Sequence, residues 1–340
     1  MIKDRNIDDN AQIQIHKLIG AGQPQAKSTY ALYVDSDKGN DGDTGRSPSH
    51  ALKTIQKAVD KAAAWWTIYV FRRTGEATGT DPYNYEETII IPRTHEGLSI
   101  IGVGAGRTQG GLPQIKPTQT QAPTTALITV RAPGCLIANM GFNGTWGTGG
   151  GILLEDDSGA TTTAFGTVIQ NCHFKNCKGT SATNAATGGA IQWGTDGQGN
   201  QVLIKSCRFY KCVGDIVLLG TSEARPQDVI IEDCVFSGPA ANTDCNLYLA
   251  GGSGMNGVII RDCYFTAMPA LGGTNDRYVV LTGCVGMIAN CYFASITNDT
   301  DAAGTFAANG SLAKIPAEVL IVHCFGETTT TTKTAEIIRT

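Results

Sequence analysis

The chain has 340 residues, 26 Lys and Arg against 30 Asp and Glu, and a net charge of −4 with both signs mixed along its length. That balance disfavours a nucleic-acid surface and supplies no basic patch for a membrane. No apolar run is long enough to span a bilayer, so membrane insertion is not expected.

Residues 1–29 carry no core pattern of their own. Ile7, Ile13, Ile15 and Leu18 are spaced along a polar segment, which suits an arm that docks on a partner rather than folding alone. Asp35, Asp37, Asp41 and Asp43 follow in a Gly/Asn-rich loop with enough carboxylates for a weak calcium site, although the EF-hand spacing is absent. A turn-rich capping loop is the simpler expectation, and no cofactor is expected. Ser47-Pro48, then Leu52, Ile55, Val59 and Ala62, predict a capped amphipathic helix over about residues 48–64. Its place is the open end of a stack of strands, where bare edges would meet water. Trp65-Trp66 is expected to pack that helix down. Short β-prone runs then follow at Ile68–Phe71, Tyr85–Ile91 and Leu98–Gly102.

From there one phrase recurs. It reads Val168-Ile-Gln-Asn-Cys-His-Phe174, Leu203-Ile-Lys-Ser-Cys-Arg-Phe209 and Ile230-Ile-Glu-Asp-Cys-Val-Phe236. It returns as Ile259-Ile-Arg-Asp-Cys-Tyr-Phe265, Met287-Ile-Ala-Asn-Cys-Tyr-Phe293 and Leu320-Ile-Val-His-Cys-Phe325. The cysteines are 35, 27, 29, 28 and 33 residues apart, and an earlier copy puts Met140 in their place. A period of this size predicts one supersecondary unit stacked on itself.

Two residues separate each Ile from its Cys, which in an unbroken strand would send the two side chains to opposite faces. Both turn inward only if the chain bends at the residue before the cysteine. That residue is Asn, Ser, Asp, Asp, Asn or His, types enriched in the left-handed region. Gln170, Lys205, Glu232 and Arg261 would then stack outward as a ladder. A second strand precedes each phrase, at Gly151–Leu154, Gly189–Trp193, Ile216–Leu219, Asn246–Leu249 and Tyr278–Leu281. Short strands, variable loops and no helical half-repeat predict an all-β parallel β-helix rather than a leucine-rich solenoid.

Tyr33-Val34-Asp35, the loop Gly39–Gly45 and Thr54–Ala58 resemble the opening of pectin-lyase-like proteins, and the Ile-x-Asn-Cys-x-Phe coils resemble their interior. The resemblance implies a right-handed single-stranded parallel β-helix over about residues 30–326, with the N-terminal helix as its cap. The family spans lyases, hydrolases, esterases and non-enzymes, so activity must be read from the site.

The core cysteines Cys172, Cys207, Cys234, Cys263, Cys291 and Cys324 are expected as free buried thiols. The repeat explains their spacing, and Met140 shares their column, so no metal is expected. Reduced cysteines and an N-terminus without an apolar signal region predict folding in a cytoplasm.

Catalytic motifs of related polysaccharide enzymes do not assemble. Asn242-Thr243-Asp244 and Asp156-Asp157 resemble polygalacturonase fragments in the wrong order, without the Gly-His-Gly or Arg-Ile-Lys segments. Glu155, Asp156, Asp157 and Asp244 stay as weak acid–base candidates, since paired carboxylates are what glycoside hydrolysis requires. Trp146 and Trp193, set among glycines, are candidates for stacking on a sugar ring. His173 and His323 sit in the repeat without a recurrent acidic partner.

Residues 5–18, with Asp9-Asn10-Ala11 and Lys17-Leu18, resemble short segments near the N-termini of bacteriophage fibre and spike proteins. That resemblance implies a virion protein, assembled in the host cytoplasm and released by lysis. The expected role is capsid decoration or a head spike. The arm would dock on major capsid or tail proteins. The alternative is a tail-spike receptor-binding protein or depolymerase acting on host surface polysaccharide. After Cys324 the repeat fails, and residues 327–340 are expected as a tail or end cap. Phage β-helices imply a homotrimer.

Overall fold

The computed structural model describes residues 30–72, 84–104, 106, 111–117, 124–145, 147, 149–155, 164–178, 189–193, 200–219, 227–237, 245–266, 277–296, 313–314, 319–328 and 334–339. These form a right-handed parallel β-helix whose strands pair with the equivalent strands of the coils before and after. The arm with Ile7, Ile13, Ile15 and Leu18 lies outside the described residues.

Three ladders run the length of the solenoid. The first face stacks Ile89–Ile91, Ile128–Val130, Ile152–Leu154, Ile191–Trp193 and Ile216–Leu219, then the leading halves of Cys245–Arg261 and Arg277–Ala289. The second runs through Ala31–Val34, Thr67–Phe71, Ser99–Val103, Leu136–Ala138, Val168–Gln170, Leu203–Lys205 and Ile230–Glu232. It continues through the trailing halves of the two long strands to Val319–Thr328. The third stacks Asn84–Tyr85, Gln114–Ile115, Gly141–Asn143, His173–Lys175, Arg208–Tyr210, Val235–Ser237, Tyr264–Phe265 and Tyr292–Ile296.

The joint between second and third faces is the bend expected from the phrase. Asn139, Asn171, Ser206, Asp233, Asp262, Asn290 and His323 all have positive φ, between 49° and 57°. The left-handed residue turns the chain in one step, so the Ile before it and the Cys after it both face inward. Each thiol then lies within reach of two carbonyls. Cys207 Sγ is 3.3 Å from Lys205 O and 3.7 Å from Ile169 O of the preceding coil, and Cys234, Cys263 and Cys291 repeat the arrangement. Burial, then the neighbouring Cys172 thiol, holds the Cys207 thiol well above its ordinary value. The column Cys172, Cys207, Cys234, Cys263, Cys291 and Cys324 is free and buried.

Beside it Phe142, Phe174, Phe209, Phe236, Phe265 and Phe293 stack ring on ring, with centroids 4.7–5.0 Å apart. That spacing matches the distance between parallel strands, so an in-register coil places rings in contact without further adjustment. Outside the second face, Lys205, Glu232 and Arg261 stand in register. Lys205 Nζ lies 2.8 Å from Glu232 Oε1, and the Arg261 guanidinium takes the other carboxylate oxygen. Lys205 and then Arg261 hold the Glu232 carboxyl below the usual range.

The N-terminal cap is shorter than the 48–64 expected. Pro48–His50 forms a single 3₁₀ turn, and the α-helix spans only Ile55–Lys61. The Ser47-Pro48 signal starts that turn, not the helix. Between the two, Leu52 bridges Val34 as extended chain. Thr54 is the true N-cap, its hydroxyl accepting from Lys57 N. Asp41 and Glu87 complete the cap. Asp41 accepts from the amides of Lys53 and Thr54, and the Glu87 carboxylate accepts from Ile55 N and Gln56 N at 2.8 Å each. Both carboxylates thus satisfy backbone donors at the positive end of the helix. At the far end Thr334–Arg339 folds back antiparallel on Val319–Thr328, pairing the last coil's edge within the chain.

Candidate functional site

Alternation around the Phe column decides what the third face shows to the outside. Phe142, Phe174 and Phe209 point inward, so Gly141 and Asn143, His173 and Lys175, and Arg208 and Tyr210 flank them on the outer side. Gln114 and Lys116 extend the pattern one coil earlier. Gln114 pairs with Gly141, and Lys116 N donates to Tyr85 O. Four successive rungs therefore form a grid two side chains wide.

The grid is cationic and polar. Lys116, Lys175 and Arg208 bring positive charge, and it holds no Asp or Glu. Among the described residues, neither Lys175 nor Arg208 has a carboxylate partner. His173 is 7 % exposed, and its Nδ1 has no hydrogen-bond partner. Burial, then Arg208 and Lys175, pushes its imidazole down to about 4, so the ring is neutral near pH 7.

Asn143 is 1 % exposed and its orientation is fixed from one side. Its Oδ1 accepts from Thr145 N at 3.1 Å and Thr145 Oγ1 at 2.5 Å, while Asn176 Nδ2 donates to the same hydroxyl at 2.9 Å. The amide Nδ2 is left without a partner. Buried donors left unpaired cost free energy, and a native structure keeps few of them. Gly141 is buried between these rungs, and a Cβ there would stand 3.4 Å from the Gln114 side chain. Two half-buried cations, an amide nitrogen without a partner and a neutral imidazole thus share one face, on which Asn143 and His173 are buried while Tyr210 is exposed.

The other sequence candidates fall elsewhere. Asp156, Asp157, Asp244 and Trp146 lie outside the described residues. Glu155 sits at the end of Ile152–Leu154 and is tied to Arg131, whose Nε and Nη2 both lie 3.0 Å from Glu155 Oε2. Trp193 is 1 % exposed, which corrects its assignment as a sugar-stacking surface. It shares an inward column with Ile191, and alternation along Ile191–Trp193 turns Gln192 outward instead. Among the described residues the exposed tryptophan is Trp65, at 51 %, with its ring against Gly97. Trp66 is half-buried, stacked on Tyr30 with Arg46 over its ring.

In the calcium-candidate loop, Asp35 Oδ1 closes a turn on the amides of Asp37 and Lys38. Both Asp41 oxygens serve Lys53 and Thr54. No group of three or more His, Cys, Asp or Glu arranged to hold a metal occurs among the described residues.

The sequence reading missed the grid although its pieces were visible. The residues flanking each Phe were legible as outward, but loops of unequal length hid which of them share a rung.

No protein-family model matches the chain, and no curated protein sequence matches it. Among solved structures it is similar to a rhamnogalacturonan lyase at 14 % identity, covering 78 % of this chain and 74 % of that one, with a TM-score of 0.42. A pectate lyase matches at 11 % identity over 89 % and 78 %, with a TM-score of 0.43. A surface adhesin of Streptococcus pneumoniae matches at 11 % identity over 88 % and 76 %, with a TM-score of 0.42. These likenesses concern the fold alone.

Proposed function

We propose that this chain is a structural protein of a bacteriophage particle, decorating the capsid or forming a head spike. In this reading residues 1–29 anchor it to major capsid or tail proteins, and the β-helix projects. It is assembled in the host cytoplasm and released by lysis. The observation that carries the structural part is where the carboxylates go. Asp41 and Glu87 cap the helix, Glu155 holds Arg131, Glu232 holds Lys205 and Arg261, and Asp215 accepts from Asn246. These acids build scaffold. The virion part rests on the sequence of residues 5–18.

Exposed apolar side chains gather in the last coils, at Tyr264, Val285, Leu320 and Phe325, which supports self-association there as a homotrimer. A second reading, a receptor-binding spike for host surface polysaccharide, is favoured by the cationic grid. Immunogold labelling of phage particles with antibody against residues 100–320 tests the first. Label over heads is expected. Label confined to tail tips would transfer the role to receptor binding, and unlabelled particles would end the virion reading.

A further inference from the structure

We propose that the interior cysteine column is a binding site for a soft, two-coordinate divalent cation such as mercury(II), held in line between the sulfurs of adjacent coils. The inference goes beyond the structural role proposed above and does not depend on it.

Register is the first argument. Cys172, Cys207, Cys234, Cys263, Cys291 and Cys324 lie on consecutive rungs, each between paired residues of the second and third faces. Every sulfur takes the same place on its rung. It lies 3.2–3.5 Å from the carbonyl oxygen two residues back. It lies 3.7–3.8 Å from an isoleucine carbonyl oxygen of the coil before. Identical placement separates successive sulfurs by the rise of one coil, ~4.8 Å. The thiols act on one another across that gap. The Cys234 thiol is the largest influence holding Cys263 above its ordinary value, and Cys263 is the largest on Cys291.

Bond length is the second argument. A metal–thiolate bond of about 2.3 Å on each side of an ion sets its two sulfurs about 4.6 Å apart when the three atoms are in line. That is the coil rise to within ~0.2 Å, so an ion between two rungs leaves the strand register as it is.

Coordination number and charge then choose the ion. Zinc closes four ligands around itself, as cadmium does, whereas adjacent rungs offer two sulfurs in line. Among the described residues no three His, Cys, Asp or Glu are arranged to hold a metal. Soft sulfur favours a soft closed-shell ion, and mercury(II) is satisfied by two thiolates. The column is buried in an apolar core, where an uncompensated charge is costly. A monovalent ion between two thiolates would leave one negative charge there. A divalent ion leaves none. Two S–H bonds break, two metal–sulfur bonds form, and two protons pass to solvent with no change of oxidation state. The S–H donors given up are weak ones. Used once each, the six thiols hold three ions, at Cys172/Cys207, Cys234/Cys263 and Cys291/Cys324.

Titration of the folded full chain with mercury(II) chloride, beside cadmium and zinc chlorides, tests the site. Thermal melts and X-ray absorption at the mercury edge read the result. Wild type is expected to hold each mercury between two sulfurs at about 2.3 Å. Its melting temperature should rise, because native coils present pairs that the unfolded chain must first assemble. Zinc and cadmium should leave the melting temperature unchanged. Cys234→Ala/Cys263→Ala should bind one ion fewer and lose part of the rise. Cys135→Ala/Cys284→Ala, which removes two buried thiols outside the column, should keep the full rise. If the column double does not fold, the sulfur count on the wild type decides. Three or four sulfurs per mercury would mean that the coils open to wrap the metal. A lowered melting temperature would mean that the thiols are reached only in the unfolded chain. Equal losses in the two doubles would reduce the effect to buried thiols in general. Zinc or cadmium binding as tightly as mercury would remove the two-coordinate geometry. Each of these results would overturn the assignment, as would a folded protein that takes up no mercury.

Discussion

The second and third faces leave the same bend residues and differ in how they balance charge. On the second face Lys205, Glu232 and Arg261 alternate in sign from coil to coil and neutralise one another in register. On the third, Lys175 and Arg208 stand on consecutive rungs beside His173 with no acid between them. A parallel β-helix lays equivalent positions over one another at ~4.8 Å, so the residue chosen at one coil acts directly on the next. Where signs alternate, the ladder contributes to the scaffold. Where they repeat, burial and then the two cations keep the neighbouring imidazole neutral.

The interior shows a third outcome. Asp215 is fully buried at the start of Ile216–Leu219, held by Asn246 Nδ2 at 2.6 Å, with Cys212 nearby. Solvent is out of reach and no cation compensates, so burial pushes the carboxyl from 3.8 up to about 8, with the Asn246 bond opposing. The folded state keeps a proton that the unfolded chain has released. Stability is therefore full at low pH and falls as pH rises through that window, by about 1.4 kcal/mol per unit. His173 acts with the opposite sign below its ordinary 6.5, because the folded ring resists protonation down to about 4. The Asp215 slope is thus cleanest between pH 6.5 and 8. Asp215→Asn keeps an acceptor for Asn246 and should abolish the slope, gaining stability most at the alkaline end. Denaturant unfolding at a series of pH values reads this directly. Parallel curves for wild type and variant would show that the carboxyl is not the proton holder.

Breaking the joint should disturb both faces at once. Asp233 has φ 52° and its Oδ2 accepts from Ser206 Oγ at 2.6 Å. A β-branched side chain is poorly tolerated there, so Asp233→Val should cost about 1–3 kcal/mol, while Asp233→Asn should stay close to wild type. Chemical denaturation distinguishes the two. Equal stability of Val and Asn at 233 would mean that the bend does not need a left-handed residue.

That bend was legible in the sequence, because two inward residues three apart leave no other geometry. The Ile, Cys and Phe columns followed from it. The helix limits were not legible. Ser47-Pro48 looks like a start, yet the positions of Asp41 and Glu87, which set the start at Thr54, depend on loop folding and, for Glu87, on a link between two strands 32 residues beyond Ile55. Trp193 was legible and misread, since counting two residues on from the inward Ile191 places it inside. The grid lay in plain view as the residues flanking each Phe, but its meaning required register across coils of 35, 27 and 29 residues. Local patterns fix which way a side chain points. Which side chains meet is settled by the closure of each loop.

The smallest effect bears most directly on the contrast between the faces. Glu232→Gln removes the acid between Lys205 and Arg261 and leaves two cations facing a neutral amide. Arg208→Gln removes one of the cations that crowd His173. Exposed ion pairs contribute little individually, so each change should move the melting temperature by only about 1–2 °C at low salt. The signs should differ. Glu232→Gln should lower it, and Arg208→Gln should leave it unchanged or raise it. Added salt should shrink both shifts, because screening weakens attraction and repulsion alike. If Arg208→Gln destabilised the ligand-free protein as Glu232→Gln does, the third face would be balanced by its own chain, and the two faces would differ in composition but not in kind.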